Sequence, residues 1–164
     1  MLILYHSKFI GIRVINLKVS TKGRYGLRAM VDLAANQDDT QVSLKSIAER
    51  QGLSENYLEQ MFSVLKKSGL VKSVRGAQGG YFLAKPADKI TVGDILRVLE
   101  GPVAPVDCIS TDVHGQCCRE SKCATIEVWK ELRDKINEVI DSYTLANLVD
   151  EYNKKNQDGY IFYI

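Results

Sequence analysis

All four cysteines of the chain, Cys108, Cys117, Cys118 and Cys123, fall within sixteen residues of one another. Their pattern is Cys-x8-Cys-Cys-x4-Cys, or Cys-x8-Cys-x5-Cys if Cys118 is set aside. The intervening run Ile109-Ser110-Thr111-Asp112-Val113-His114-Gly115-Gln116 is polar and offers little to pack against, so these thiols do not read as core filler. Clustered thiolates select zinc, copper(I) or iron-sulfur clusters over magnesium or calcium. A structural zinc site usually presents paired Cys-x2-4-Cys knuckles. Here the close pairs are Cys117-Cys118 and Cys118-x4-Cys123, with no second knuckle, which ranks zinc behind an iron-sulfur cluster. A cluster held by three cysteines needs one further donor. His114 and Cys118 are the local candidates, and Asp107, Glu127 or a carboxylate of a second subunit are more distant ones. The bland reading, four reduced and idle thiols, fits the clustering poorly.

A loop of this kind needs rigid elements on both sides, and the charge pattern separates two of them. Residues 18 to 97 carry 13 Lys and Arg against 8 Asp and Glu, a net +5, whereas residues 98 to 164 carry 7 against 12, a net −5. The basic part fits a polyanion, and the acidic part fits assembly or sensing. A length of 164 residues allows one ordinary domain, or a small domain with an assembly element. Four cysteines without a secretory cleavage site point to a reducing, cytoplasmic setting. No stretch has the eighteen or so apolar residues of a membrane span. No nucleophile with a neighbouring base is legible, His6 and His114 are the only histidines, and Gly79-Gly80 is not a phosphate loop, so an enzyme is not expected.

The elements themselves follow from periodicity and caps. Tyr25, Leu27, Met30, Val31, Leu33, Ala34 and Ala35 recur at near-helical spacing and predict a helix ending before Asn36-Gln37-Asp38-Asp39. Ser43 caps a second helix that stops at Gly52, and Ser54 caps a third over Glu55–Ser68, ended by Gly69. Two capped helices joined by a three-residue turn form a helix-turn-helix. Two β-prone runs follow, Leu70 to Val74 and Tyr81 to Leu83, joined by Arg75-Gly76-Ala77-Gln78-Gly79-Gly80, which predicts a hairpin in the place of a wing. Arg75 would then be a cation able to enter a narrow minor groove. On the third helix Tyr57, Leu58, Met61, Phe62 and Leu65 form the inward stripe, leaving Glu55, Asn56, Glu59 and Gln60 for solvent or base edges. Thr91 caps a helix over Val92–Glu100 closed by Gly101-Pro102. After the cysteines, Trp129, Leu132, Ile136, Val139 and Tyr143 follow a 3-4-3-4 spacing on the longest helix, from about Thr125, and predict a dimer seam. Thr144 would cap a last short helix through Tyr152, with Asn153 to Gly159 a polar tail.

Several of these motifs stand in one fixed order: Lys18-Val19-Ser20-Thr21-Lys22-Gly23-Arg24-Tyr25-Gly26, Ser43-Leu44-Lys45-Ser46-Ile47-Ala48, Leu53-Ser54-Glu55-Asn56-Tyr57-Leu58-Glu59-Gln60, Arg75-Gly76-Ala77-Gln78-Gly79-Gly80-Tyr81 and Val92-Gly93-Asp94-Ile95. Together they resemble the bacterial winged-helix regulator family of IscR, NsrR and CymR, over about Lys18 to Leu148. The resemblance implies a mainly α fold with a small β wing, and a homodimeric repressor or activator on a double-stranded DNA operator. It implies DNA contacts from Asn56, Tyr57, Glu59 and Gln60 on the recognition helix and Arg75 on the wing, with Ser20, Thr21, Lys22 and Arg24 near the phosphates. Through the x5 spacing it implies Cys108, Cys117 and Cys123 as ligands of an iron-sulfur cluster, 2Fe-2S ahead of 4Fe-4S, with Cys118 or His114 left as the fourth donor. A family His three residues after the last cysteine has no counterpart, because Ile126 stands there. The Gly101-Pro102-Val103-Ala104-Pro105-Val106 run and the Tyr160-Ile161-Phe162-Tyr163-Ile164 end are similar to the family's cysteine-metabolism branch, which carries no cluster and pairs with cysteine synthase. The expected organisation is an extension over 1–17, a winged helix-turn-helix domain over 18–100, a sensor loop over 101–124, a dimerisation helix region over 125–153 and a tail over 154–164. Leu17 stands where the family starts, so the extension is expected to be upstream sequence or a disordered arm.

Overall fold

The computed structural model of the protein describes residues 19–37, 40–76, 79–110 and 120–158. Helix α1, Thr21–Asn36, starts where Ser20 turns its hydroxyl oxygen to the amides of Lys22 and Gly23. Helix α2, Leu44–Gln51, is capped by Ser43 and stops at Gly52, whose φ of +64° suits glycine. Helix α3, Glu55–Lys67, is capped by Ser54 through the Tyr57 amide. It ends one residue earlier than predicted, because Ser68 becomes the C-cap and turns its hydroxyl back to the Leu65 carbonyl. Gly69, at φ +75°, then reverses the chain.

Strand β1, Val71–Val74, pairs antiparallel with β2, Gly80–Leu83, in the register Val71↔Leu83 and Val74↔Gly80. The predicted wing is therefore present, with β2 starting at Gly80 instead of Tyr81. Its base is sewn to the helix-turn-helix by paired 2.8 Å hydrogen bonds between Val42 and Tyr81. Gly80 makes this possible: a Cβ there would lie 2.5 Å from the Val42 carbonyl oxygen.

Helix α4, Val92–Glu100, opens on a capping box in which Thr91 and Asp94 satisfy each other's amides. Helix α5, Ile126–Ser142, leads to α6, Leu145–Asp158. The last helix runs six residues past the predicted end at Tyr152, so the start of the predicted polar tail is helical. The first turns are fixed by Leu145, which is fully buried, and by the hydrogen bonds between Thr144 and Asn147. Beyond Tyr152 the helix is solvated, and no proline or glycine interrupts it before Gly159.

The core joins Ala29, Met30 and Leu33 of α1, Ile47 of α2, Leu58, Met61, Phe62 and Leu65 of α3, Ile95 and Leu99 of α4 and Leu145 of α6. Among the described residues Asp32 is the buried charge, gripped by Arg50 and Gln51 from the end of α2. Helix α5 stands outside this core and buries only Ile126 fully. Trp129, Leu132 and Ile136 are half-buried, Val128 and Val139 are exposed, and Tyr143 has left the helix to become its C-cap. Arg97 holds α5 against α4 by pairing with both Asp141 oxygens at 2.9 and 2.6 Å and reaching Asn137 at 2.8 Å. This keeps the Asp141 carboxyl below the usual range, with Arg97 the main cause. Among the described residues, no helix is long and apolar enough to cross a membrane.

Candidate DNA interface and thiolate loop

Helix α3 turns Leu58, Met61, Phe62 and Leu65 inward, and that choice leaves Glu55, Asn56, Glu59 and Gln60 exposed on the opposite face of its first turns. Tyr57 is half-buried and meets Tyr25 of α1 edge-to-face, with centroids 6.4 Å apart. It fixes the start of α3 to α1 as much as it faces outward. The guanidinium groups of Arg24 and Arg28 both stack over the Tyr25 ring, at 5.5 and 5.6 Å. Arg28 is held further by Gln51, through its side-chain oxygen and its carbonyl, each at 3.2 Å.

The wing is braced against α3. Lys66 donates to the Ser73 hydroxyl at 2.6 Å, and the Phe62 and Tyr81 rings pack edge-to-face at 5.0 Å. Burial pushes the Tyr81 hydroxyl above its usual range, and the Glu59 carboxylate adds to the shift, which places Glu59 within electrostatic reach of the wing. Arg75 is exposed at the wing's tip, beside Gly76 at φ +124°.

The six arginines among the described residues divide cleanly. Arg50, Arg97 and Arg133 are ion-paired, while Arg24, Arg28 and Arg75 have no carboxylate partner among the described residues. The three without a carboxylate partner lie on α1 and at the wing, and both α1 and β1 pack against α3. Arg28 was not singled out in the sequence, and its spacing of four from Arg24 was the available signal. At the start of α1, Thr21 and Arg24 are exposed and Lys22 is half-buried. Ser20 is committed locally: it caps the helix and donates its hydroxyl hydrogen to Glu100.

The loop after α4 leaves through Gly101 and returns to α5. Asn137 donates to the Val103 carbonyl at 3.1 Å, and Arg133 donates to the Ile109 carbonyl at 3.1 Å. Cys108 sits in the short 3-10 turn Asp107–Ile109, half-buried next to the buried Ile109. Cys123 is half-buried just before α5, its sulfur 3.4 Å from the Thr125 hydroxyl, whose oxygen accepts from the Trp129 indole at 3.2 Å. The Thr125 hydroxyl, with its backbone amide, holds the Cys123 thiol below the usual range. Both sulfurs are free thiols. Cys117, Cys118 and His114 lie outside the described residues. Among the described residues, no three potential metal donors come together.

A capped helix-turn-helix followed by a braced hairpin, with unpaired cations beside the recognition helix, defines a winged helix-turn-helix protein. The chain belongs to the Rrf2 family: the family pattern, described as an iron-dependent transcriptional regulator, matches residues 19–151. It is 48% identical over 148 residues to the transcriptional regulator CymR of Bacillus subtilis, spanning 90% of this chain and all of that one. It is 41% identical over 143 residues to IscR of Escherichia coli, covering 87% and 86% of the two chains. Among solved structures, CymR of B. subtilis, described as its global cysteine regulator, superposes with a TM-score of 0.67 over 83% of this chain and 98% of that one. IscR of T. potens gives 0.66 at 52% identity over 82% and 88%. The protein is a transcriptional regulator with the winged-helix fold.

Proposed function

We propose that the protein is a homodimeric repressor or activator whose hold on its operator is set by an iron-sulfur cluster on Cys108, Cys117 and Cys123. The carrying observation is the placement of Cys108 and Cys123, two free half-buried thiols in the segment joining α4 to α5, the first in the turn Asp107–Ile109 and the second just before α5. The donor set fits such a group: soft sulfur ligands, one of them with a depressed thiol, next to a helix that is outside the core. Cys118 or His114 would complete the set, with 2Fe-2S ahead of 4Fe-4S and zinc behind both. When bound, a cluster supplies a cross-link that oxidation or ligand exchange can break. Ligation by these residues would tie Cys108 to the entrance of α5 and so set how α5 stands against the DNA-binding part. The half-buried seam of Trp129, Leu132 and Ile136, continued by exposed Val139 and Tyr143, supports a second copy packing on α5.

A second reading is favoured by the full-length identity to CymR: a repressor of cysteine metabolism that acts with cysteine synthase and holds no cluster. Anaerobic purification followed by an absorption spectrum and iron and sulfide assays separates the two. Coloured protein with iron and sulfide supports the cluster. Colourless protein that retains cysteine synthase in a pull-down supports the second reading.

The DNA face gives its own expectations. Arg75→Ala should weaken operator binding by about 1–3 kcal/mol and flatten its salt dependence. Titration at several salt concentrations measures both, and unchanged binding would remove the wing from the interface. Glu59→Ala and Gln60→Ala should instead relax base preference at one position per half-site, read by selection from a randomised operator. A uniform loss across all sequences would show that these side chains do not read bases.

A further inference from the structure

We infer that Glu100 is a positioning residue for DNA binding: seated against Ser20 in the space left by Gly23, its carboxylate joins the start of the cysteine loop to the first turn of α1. The inference rests on the reading above, in which α1 faces phosphates and the loop senses.

On the loop side, Glu100 is the last residue of α4 and Gly101 follows at φ +91°, a conformation in which the chain leaves the helix sharply. Two residues on, the Val103 carbonyl is held by Asn137, whose side-chain oxygen accepts from Arg97, one turn before Glu100. Arg133, one turn before Asn137 on α5, holds the Ile109 carbonyl next to Cys108. Positions 133 and 137 share one face of α5, so both ends of the stretch 101–109 are fastened to the same strip. A rearrangement around Cys108 therefore acts on this strip and, through Arg97, on α4.

On the DNA side, α4 approaches α1 over two glycines. A Cβ on Gly26 would lie 2.2 Å from the Leu99 side chain, and one on Gly23 would lie 2.6 Å from the nearer Glu100 oxygen. Glycine is a weaker helix former than alanine, so two of them at the approach of α4 favour close contact over helix propensity. Leu99 is buried and accounts for Gly26 as ordinary packing. Glu100 is exposed, and so is Val19, whose side chain would lie 2.9 Å from the same Cβ, so packing in the core does not account for Gly23. An acid at this place also opposes phosphate binding, given Lys22 and Arg24 on the same turn. What Glu100 contributes is the hydrogen bond from Ser20. Ser20 has one hydroxyl hydrogen. It goes to Glu100 or to a phosphate oxygen, and the position of α4 decides which.

The full-length protein tests this with a duplex it has selected from a random pool. Operator affinity is measured for cluster-loaded and cluster-free protein, and backbone hydrogen exchange at Lys22 and Gly23 is followed in the absence of DNA. Glu100→Ala should change the loaded-to-free affinity ratio by about two- to thirtyfold and speed exchange at both amides, with the cluster spectrum unchanged. Gly23→Ala, which displaces the flexible carboxylate while strengthening the helix, should do the same. Glu100→Gln keeps an acceptor for Ser20; it should keep the wild-type ratio while raising both affinities. An unchanged ratio and unchanged exchange in Glu100→Ala would overturn the proposal. So would a Gly23→Ala protein that behaves like wild type. If wild-type protein shows no difference between loaded and free forms, the sensing reading fails on its own, and the exchange arm alone decides whether Glu100 holds the turn.

Discussion

Arg50→Met should lower the unfolding free energy by about 3–5 kcal/mol, and Asp32→Ala should lower it by less. Asp32 is fully buried in α1, while about a third of the Arg50 side chain reaches solvent from the end of α2. The Arg50 Nε lies 3.0 Å from both Asp32 oxygens, and the Gln51 amide donates to one of them at 2.8 Å. The pairing raises the Arg50 guanidinium above its ordinary range, Asp32 being the main cause. Removing the arginine strands a carboxylate in the core with one amide partner. Removing the aspartate leaves a guanidinium that can turn into water. The asymmetry follows from burial, and Asp32→Leu combined with Arg50→Met should recover much of the loss. Denaturant midpoints at constant m measure all three. Equal losses in the two single variants, or losses below about 1 kcal/mol, would mean that the pair is solvated and behaves like a surface ion pair. The effect reaches function because the same network fixes α2, and α2 presents the turn Gly52–Ser54 that aims α3.

What the sequence revealed and what it hid have separate physical causes. Helix ends were legible where a side chain satisfies orphan amides: Ser43, Ser54 and Thr91 each cap the helix predicted for them. The wing was legible because hydrophobic period and glycine content change together after Gly69. The end of α6 was not, since the turn beyond Tyr152 is solvated and has no apolar residue to mark it. Asp32 was hidden as well, because an acid reads as surface until its partner eighteen residues away is known. The seam of α5 was read to Tyr143 by spacing alone, but the helix stops at Ser142, so the last member is set by the bend into α6. The joint at Glu100 left one trace, the glycines at 23 and 26 inside a helix, which mark close approach without saying to what.

Cys108→Ala, Cys117→Ala and Cys123→Ala should each abolish the absorption of an iron-sulfur cluster, while Cys118→Ala keeps it. The x5 spacing from Cys117 to Cys123 is the family-like one, and it leaves Cys118 as the spare thiol. Cys108 is presented by a turn anchored at the next residue, Ile109, which is buried and whose carbonyl accepts from Arg133. Cys123 is presented at the entrance to α5 with Thr125 favouring its thiolate, the form that ligates metal. Neither sulfur belongs to the core that joins α1 to α4 with Leu145, so the variants should remain folded, with helix content and melting close to wild type. Their operator binding should then be that of cluster-free protein, which separates loss of the cluster from loss of the fold. Anaerobic spectra with iron and sulfide assays read the first, and circular dichroism reads the second. Loss of the spectrum in Cys118→Ala with retention in Cys117→Ala would reverse the assignment of the adjacent pair. Retention in all four variants would place the cluster elsewhere and leave the loop's thiols to another chemistry.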